Sequence, residues 1–187
     1  GAGKFFVAGA DIKFFVEKIQ GKEIFDIVSF TRKTSELFLA IENSKKLTIA
    51  ILDGLSLGGG SELALCCQAM VATDKGSMAF PETAIGIYPG LGGMLRLARK
   101  VGPALAKYYV FTGKTISAED ALELGIATHL VLPNELEQTI IKLALEGKSE
   151  KAKIHSLPDR FKEMENIFSN HDLQDLIKEK MPDNVLG

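Results

Sequence analysis

An α/β fold is what the sequence predicts, and two patterns carry the prediction. Short apolar, β-type runs alternate with longer stretches whose apolar residues recur at helical spacing. At the centre, Leu47 to Leu52 reads as a strand, Asp53 to Gly60 as a glycine turn, and Ser61 to Met70 as an Ala/Leu-rich helix. Gly58, Gly59 and Gly60 remove every side chain from that turn, so backbone N–H groups there can approach a ligand closely. The following helix adds its positive dipole end at the same spot, with Glu62 on its first turn. A carboxylate there can serve the helix dipole alone, but beside the glycines it marks a candidate reaction site.

Each element follows in order. Phe5 to Val7 reads as a buried strand ending at Ala8-Gly9-Ala10-Asp11-Ile12. Ile24, Ile27, Val28, Phe38 and Ile41 space an amphipathic helix from Lys22 to about Glu42. After the central unit come strands at Val71-Ala72-Thr73 and Ser77 to Phe80, and Pro81-Glu82-Thr83 breaks the pattern. Ile85 to Gly93 is a loop that opens a helix from Met94 to Val101, and Pro103 suits the first turn of the next, to about Phe111. Ser117 is the expected N-cap of a short helix stopped at Gly125. Thr128 to Leu132 alternates as a strand, and Asn134 with Glu137 predicts a capping box for a helix to about Leu145. Residues 1–145 read as the core; residues 146–187 read as a polar linker and a helical tail, with apolar spacing at Phe161, Met164, Phe168, Leu173, Leu176 and Ile177.

Composition narrows the function classes. A chain of 187 residues with 46% hydrophobic and 25% charged residues suits a globular domain with a substantial core. A formal net charge of −2 gives no sign of nucleic-acid binding. No apolar run has the length of a membrane span. The two cysteines, Cys66 and Cys67, are adjacent on a predicted helix and point to different faces, so they read as small core residues in a reducing compartment. The three histidines, His129, His155 and His171, lack metal-ligand spacing and read as structural or solvated. The opening Gly1-Ala2-Gly3 runs straight into an apolar stretch without an initiator Met, which reads as a start inside a larger domain.

Four segments then fall into a familiar order. Ala8-Gly9-Ala10-Asp11-Ile12-Lys13, Gly58 to Ala64, Phe80-Pro81-Glu82 with Gly86 to Gly93, and Thr112-Gly113-Lys114 with Ser117 to Ala121 and Leu124-Gly125 resemble successive signatures of the crotonase (enoyl-CoA hydratase/isomerase) superfamily. The resemblance runs from about Gly3 to Val131, without the family's opening strands, and is only loose after Leu132. It implies a spiral of ββα turns, acyl-CoA as ligand, and assembly as homotrimers or dimers of trimers. It further implies an oxyanion hole from the N–H groups of Ala10 and Gly59, and catalysis by Glu62 and Glu82. Ala8, Ala10, Asp11, Ile12, Lys13 and Gly59 would line the substrate. No metal and no separate cofactor is implied, since coenzyme A belongs to the substrate. A fused or associated 3-hydroxyacyl-CoA dehydrogenase is compatible with the resemblance. So is a cytoplasmic location, or the mitochondrial matrix for a processed eukaryotic protein.

That constellation suits hydration of a 2-enoyl thioester to the 3-hydroxyacyl product. Negative charge develops on the thioester oxygen, and two fixed N–H donors stabilise it. Two carboxylates can hold a water between them, one accepting its proton and the other supplying one to the α-carbon. Three other readings remain open. Double-bond isomerisation of enoyl-CoA needs only one carboxylate. Gly54-Leu55-Ser56-Leu57-Gly58 fits the G-x-S-x-G nucleophile elbow, with Asp74 or Asp120 and His129 completing a serine (thio)esterase order. A fragment that binds acyl-CoA without turning it over is the third.

Overall fold

The computed structural model describes residues 3–147 and 156–170. The first sheet has strand order β1 (Ile49–Leu52), β3 (Ala69–Ala72), β6 (His129–Leu130), all parallel. The second has β2 (Leu55–Leu57), β4 (Ser77–Ala79), β5 (Ile116–Ser117), with β2 and β4 parallel and β5 antiparallel to β4. The chain passes from β1 in one sheet to β2 in the other, then through helix α3 (Gly59–Cys66) back to β3 beside β1 and β4 beside β2. That is the expected ββα spiral.

Side-chain alternation explains the strands. In β1, Ala50 and Leu52 are buried in the main core while Ile49 and Ile51 are half-buried on the other face. All four residues of β3 are buried, as suits the middle strand of a parallel sheet. The predicted helix after the glycine turn is shorter than its sequence suggests. Gln68 N donates to Thr48 Oγ1 (3.1 Å) and Ala69 N to Thr48 O (3.0 Å), drawing the chain into the sheet before Met70. The glycine turn itself contains β2, a three-residue strand that the surrounding glycines conceal.

The N-terminal run is not a buried strand. Lys4 to Val7 lies along β2 through the bonds Leu55 N to Lys4 O, Phe6 N to Leu55 O and Leu57 N to Val7 O, with a single β-bridge at Phe5 and Leu55. Phe5 is exposed. Helix α1 (Ile12–Gln20) follows, and α2 (Ile24–Glu42) occupies the expected span. Pro81–Ile85 forms a 3-10 turn, and α4 (Gly93–Val101) and α5 (Pro103–Thr112) start where expected. Ser117 caps α6 (Ala118–Glu123) by accepting from Asp120 N, as predicted. The Asn134–Glu137 capping box does not form. Before α7 (Leu136–Glu146), Glu135 instead turns its carboxylate back to the Leu132 N–H (3.1 Å).

Helix α8 (Asp159–Asn170) packs on α5 of its own chain, with Phe161 fully buried and Phe168 against Tyr108 and Phe111. That intrachain packing accounts for the apolar spacing of Phe161, Met164 and Phe168. Most of the expected linker, together with Leu173, Leu176, Ile177, His155 and His171, lies outside the described residues. Cys66 is buried and Cys67 half-buried, both as free thiols. Among the described residues, no helix is long and apolar enough to cross a membrane.

Candidate active site

Two carboxylates meet at the N-terminal end of α3. Glu62, on the helix's first turn, is 2% exposed. Its Oε1 accepts from the backbone N–H groups of Leu91 and Gly93, each at 2.8 Å. Gly93 opens α4, so Glu62 caps a second helix rather than merely serving the dipole of its own. Burial raises its pKa above the ordinary carboxylate value; the two N–H bonds and the charge of Arg96 pull the other way.

Glu82 comes from the 3-10 turn and is 9% exposed. Its Oε2 is buried with no hydrogen-bond partner among the described residues. Burial pushes its pKa up to about 7, a backbone bond opposes this, and the negative charge of Glu62 adds to the rise. Gly58 makes room for it. A Cβ on Gly58 would stand 2.8 Å from Glu82 Oε1, and the backbone there has φ +51. The pair is therefore electrostatically coupled, with one carboxylate well hydrogen-bonded and the other nearly bare.

The two expected oxyanion donors are neighbours. A Cβ on Gly59 would lie 4.0 Å from Ala10 N, and one on Gly9 would lie 4.0 Å from Gly59 N. Neither N–H donates to a protein acceptor among the described residues. The bond between Leu57 N and Val7 O holds the Ala8 to Ala10 segment at this position. Ala8, Ala10, Asp11, Ile12 and Lys13 form an exposed strip leading away from it. Asp11 has a structural task there as well, since its Oδ1 accepts from Lys13 N (3.0 Å) as the N-cap of α1.

The serine-hydrolase arrangement is absent from this geometry. Ser56 sits inside β2 rather than at a strand-to-helix elbow, is fully buried, and its Oγ has no partner among the described residues. His129 Nδ1 instead meets Thr128 Oγ1 at 2.9 Å, on the other sheet, and Asp120 pairs with Arg160. Among the described residues, no group of three or more His, Cys, Asp or Glu could hold a metal ion. Arg96, buried on α4, is the neighbour of Glu62 that sequence reasoning missed. It looks like a surface cation on an amphipathic helix, and only the closed fold turns it inward.

The environment of Glu82 makes a stability prediction. Below pH 4.5, its ordinary value, the carboxyl is protonated in both folded and unfolded chains. Between 4.5 and about 7 the unfolded chain releases a proton that the folded chain retains, so this group's contribution falls as pH rises. A gap of that size corresponds to about 3 kcal/mol. Denaturant unfolding at pH 5 and pH 8 should show most of that loss in the wild type, relative to Glu82→Gln. Equal pH dependence of the two proteins would contradict it.

A family model described as enoyl-CoA hydratase/isomerase matches residues 1–185. The chain is 39% identical over 141 residues to the crotonyl-CoA hydratase of Syntrophomonas wolfei, a match covering 75% of this chain and 53% of that protein. It is 36% identical over 147 residues to the fatty acid oxidation complex subunit alpha of Colwellia psychrerythraea, covering 76% of this chain and 20% of that one. The crystal structure of enoyl-CoA hydratase from Bacillus anthracis superimposes with a TM-score of 0.67 at 38% identity, covering 78% of this chain and 55% of the other. The matched region spans about half the length of the first of these relatives. Sequence signatures, spiral fold and family match agree that the chain belongs to the enoyl-CoA hydratase/isomerase family.

Proposed function

We propose that the protein adds water across the double bond of 2-enoyl-CoA to give 3-hydroxyacyl-CoA. The observation that carries this reading is the coupled pair itself: Glu62 is bonded to two N–H groups, and Glu82, buried beside it with its Oε2 unpartnered among the described residues, has its pKa pushed up to about 7 by that burial. An isomerase needs one carboxylate to shuttle a proton. A hydratase has use for two in contrasting environments.

In the proposed reaction the thioester oxygen accepts from the Ala10 and Gly59 N–H groups. Ionised Glu62 takes a proton from water as the water oxygen bonds to the β-carbon. Protonated Glu82 gives its proton to the α-carbon. The substrate gains one water, and a proton passing from Glu62 to Glu82 resets the pair. Coenzyme A enters as part of the substrate, along the Ala8 to Lys13 strip, and no separate cofactor takes part.

The place of the reaction is fatty-acid oxidation, in the cytoplasm or the mitochondrial matrix, with a fused or associated 3-hydroxyacyl-CoA dehydrogenase consuming the product. A homotrimer or dimer of trimers is the proposed assembly. Exposed apolar residues on α1 and α2, among them Ile12, Val16, Ile19, Ile24 and Phe25, support burial of those faces in a larger body.

The test is the loss of ultraviolet absorbance of the conjugated enoyl thioester when crotonyl-CoA is added. Steady loss with formation of 3-hydroxybutyryl-CoA is expected. Acyl-CoA binding with no absorbance change would leave only a binding role. Conversion of a 3-enoyl-CoA without hydration would assign the isomerase.

A further inference from the structure

The loop between the 3-10 turn and α4 is held from two sides. On one side, Glu62 Oε1 accepts from the N–H groups of Leu91 and Gly93. On the other, Arg96 Nη1 donates to the carbonyl of the same Leu91 at 2.8 Å. The Arg96 guanidinium is only 9% exposed and is fixed in turn by Glu42, at the C-terminal end of α2. Arg96 Nε and Nη2 both donate to Glu42 Oε2, at 3.0 and 2.8 Å. Arg99, mostly exposed, approaches the other oxygen of Glu42 at 3.6 Å. A line of polar contacts therefore runs from α2 through Arg96 and Leu91 to the buried carboxylate.

We infer that Arg96, anchored by Glu42, is a positioning residue for Glu62: it holds the Leu91 carbonyl so that the Leu91 and Gly93 N–H groups converge on one carboxylate oxygen. The role of Glu62 in turnover rests on the hydratase reading, whereas the clamp itself does not. Glu42 has a second consequence. It engages the guanidinium, and among the described residues Arg96 makes no ion pair with Glu62 and the carboxylate's second oxygen accepts no hydrogen bond. A direct pair would occupy that oxygen and weaken it as a proton acceptor. Among the described residues, the other titratable groups facing this cluster are Glu82 and the Cys66 thiol. An arginine that merely tied α2 to α4 would affect melting and leave the loop amides and turnover alone.

The experiment compares wild type, Arg96→Met and Glu42→Ala by residue-resolved amide exchange, together with kcat and KM for crotonyl-CoA. Exchange at Leu91 and Gly93 should quicken by about tenfold or more in both variants, as local opening becomes easier. Loss of alignment at Glu62 should lower kcat by about 10–100-fold with KM nearly unchanged. Glu42 is partly exposed, so Glu42→Ala carries the test if Arg96→Met does not fold. Unchanged exchange at both amides in a folded variant would overturn the inference, as would faster exchange with wild-type kcat. If the wild type shows no turnover, the hydratase reading fails separately, and the amides alone decide whether the clamp exists.

Discussion

Glu82→Gln should lower kcat for crotonyl-CoA by about 10²–10⁴, with little change in acyl-CoA affinity. The substitution keeps the size and shape of the side chain and removes the proton it would give to the α-carbon. Binding would rest elsewhere, on the Ala8 to Lys13 strip and the glycine turn. Glu62→Gln should lower kcat over a similar range of about 10²–10⁴ for another reason. The amide oxygen can still accept from Leu91 and Gly93, so the α4 cap survives while the proton acceptor is lost. Glu62→Ala should behave differently. It strands two inward N–H groups and should cost a further 1–3 kcal/mol or so in stability. Kinetics and melting of the three variants separate the two roles. A Glu62→Gln protein with wild-type kcat and a lowered melting point would make Glu62 a structural cap only.

The second large effect belongs to a residue with no functional group. Gly60 lies under the Val7 carbonyl, and a Cβ there would stand 2.2 Å from Val7 O and 2.8 Å from Val7 Cβ. Backbone cannot yield cheaply at that distance, so Gly60→Ala should push the Lys4 to Ala10 segment off α3. The bond from Leu57 N to Val7 O would break, and the Ala10 N–H would move away from Gly59. Loss of one oxyanion donor is expected to reduce kcat by about 10²–10³. Overpacking strain should add about 1–3 kcal/mol of destabilisation. Steady-state kinetics with a thermal melt check both. Wild-type kcat in this variant would show that the position of Ala10 does not matter to turnover.

Much of this was legible in the chain because local and global signals agree. The β-type run into Leu52, the cap at Ser117 and the glycine stop at Gly125 after α6 each act within a few residues, and the fold keeps them. Helix α1 escaped although its signals were present. Asp11 caps it, Gly21 follows it, and Ile12, Phe15, Val16 and Ile19 recur at helical spacing, although none of its residues is buried. Strand β2 escaped because three residues between glycines are too few for alternation to register, and its buried residue is the polar Ser56. The early end of α3 depended on Thr48, twenty residues upstream of Gln68. In the site, the motif order named Glu62 and Glu82, yet their contrasting environments depend on Leu91, Gly93 and Gly58. Arg96 and Glu42 are separated by 54 positions, and their pairing is a product of tertiary closure alone.

In the proposed reaction Glu62 and Glu82 work as a unit, one on the water and one on the α-carbon, and the double variant Glu62→Gln/Glu82→Gln is the sharpest probe of that coupling. Groups that work together lose their function once, so the double variant's kcat for crotonyl-CoA should fall scarcely below that of the slower single variant. Independent contributions would instead multiply, giving a double variant slower than either single one by the full factor of the other. That result, or wild-type turnover in either single variant, would show that the two carboxylates do not act as a unit.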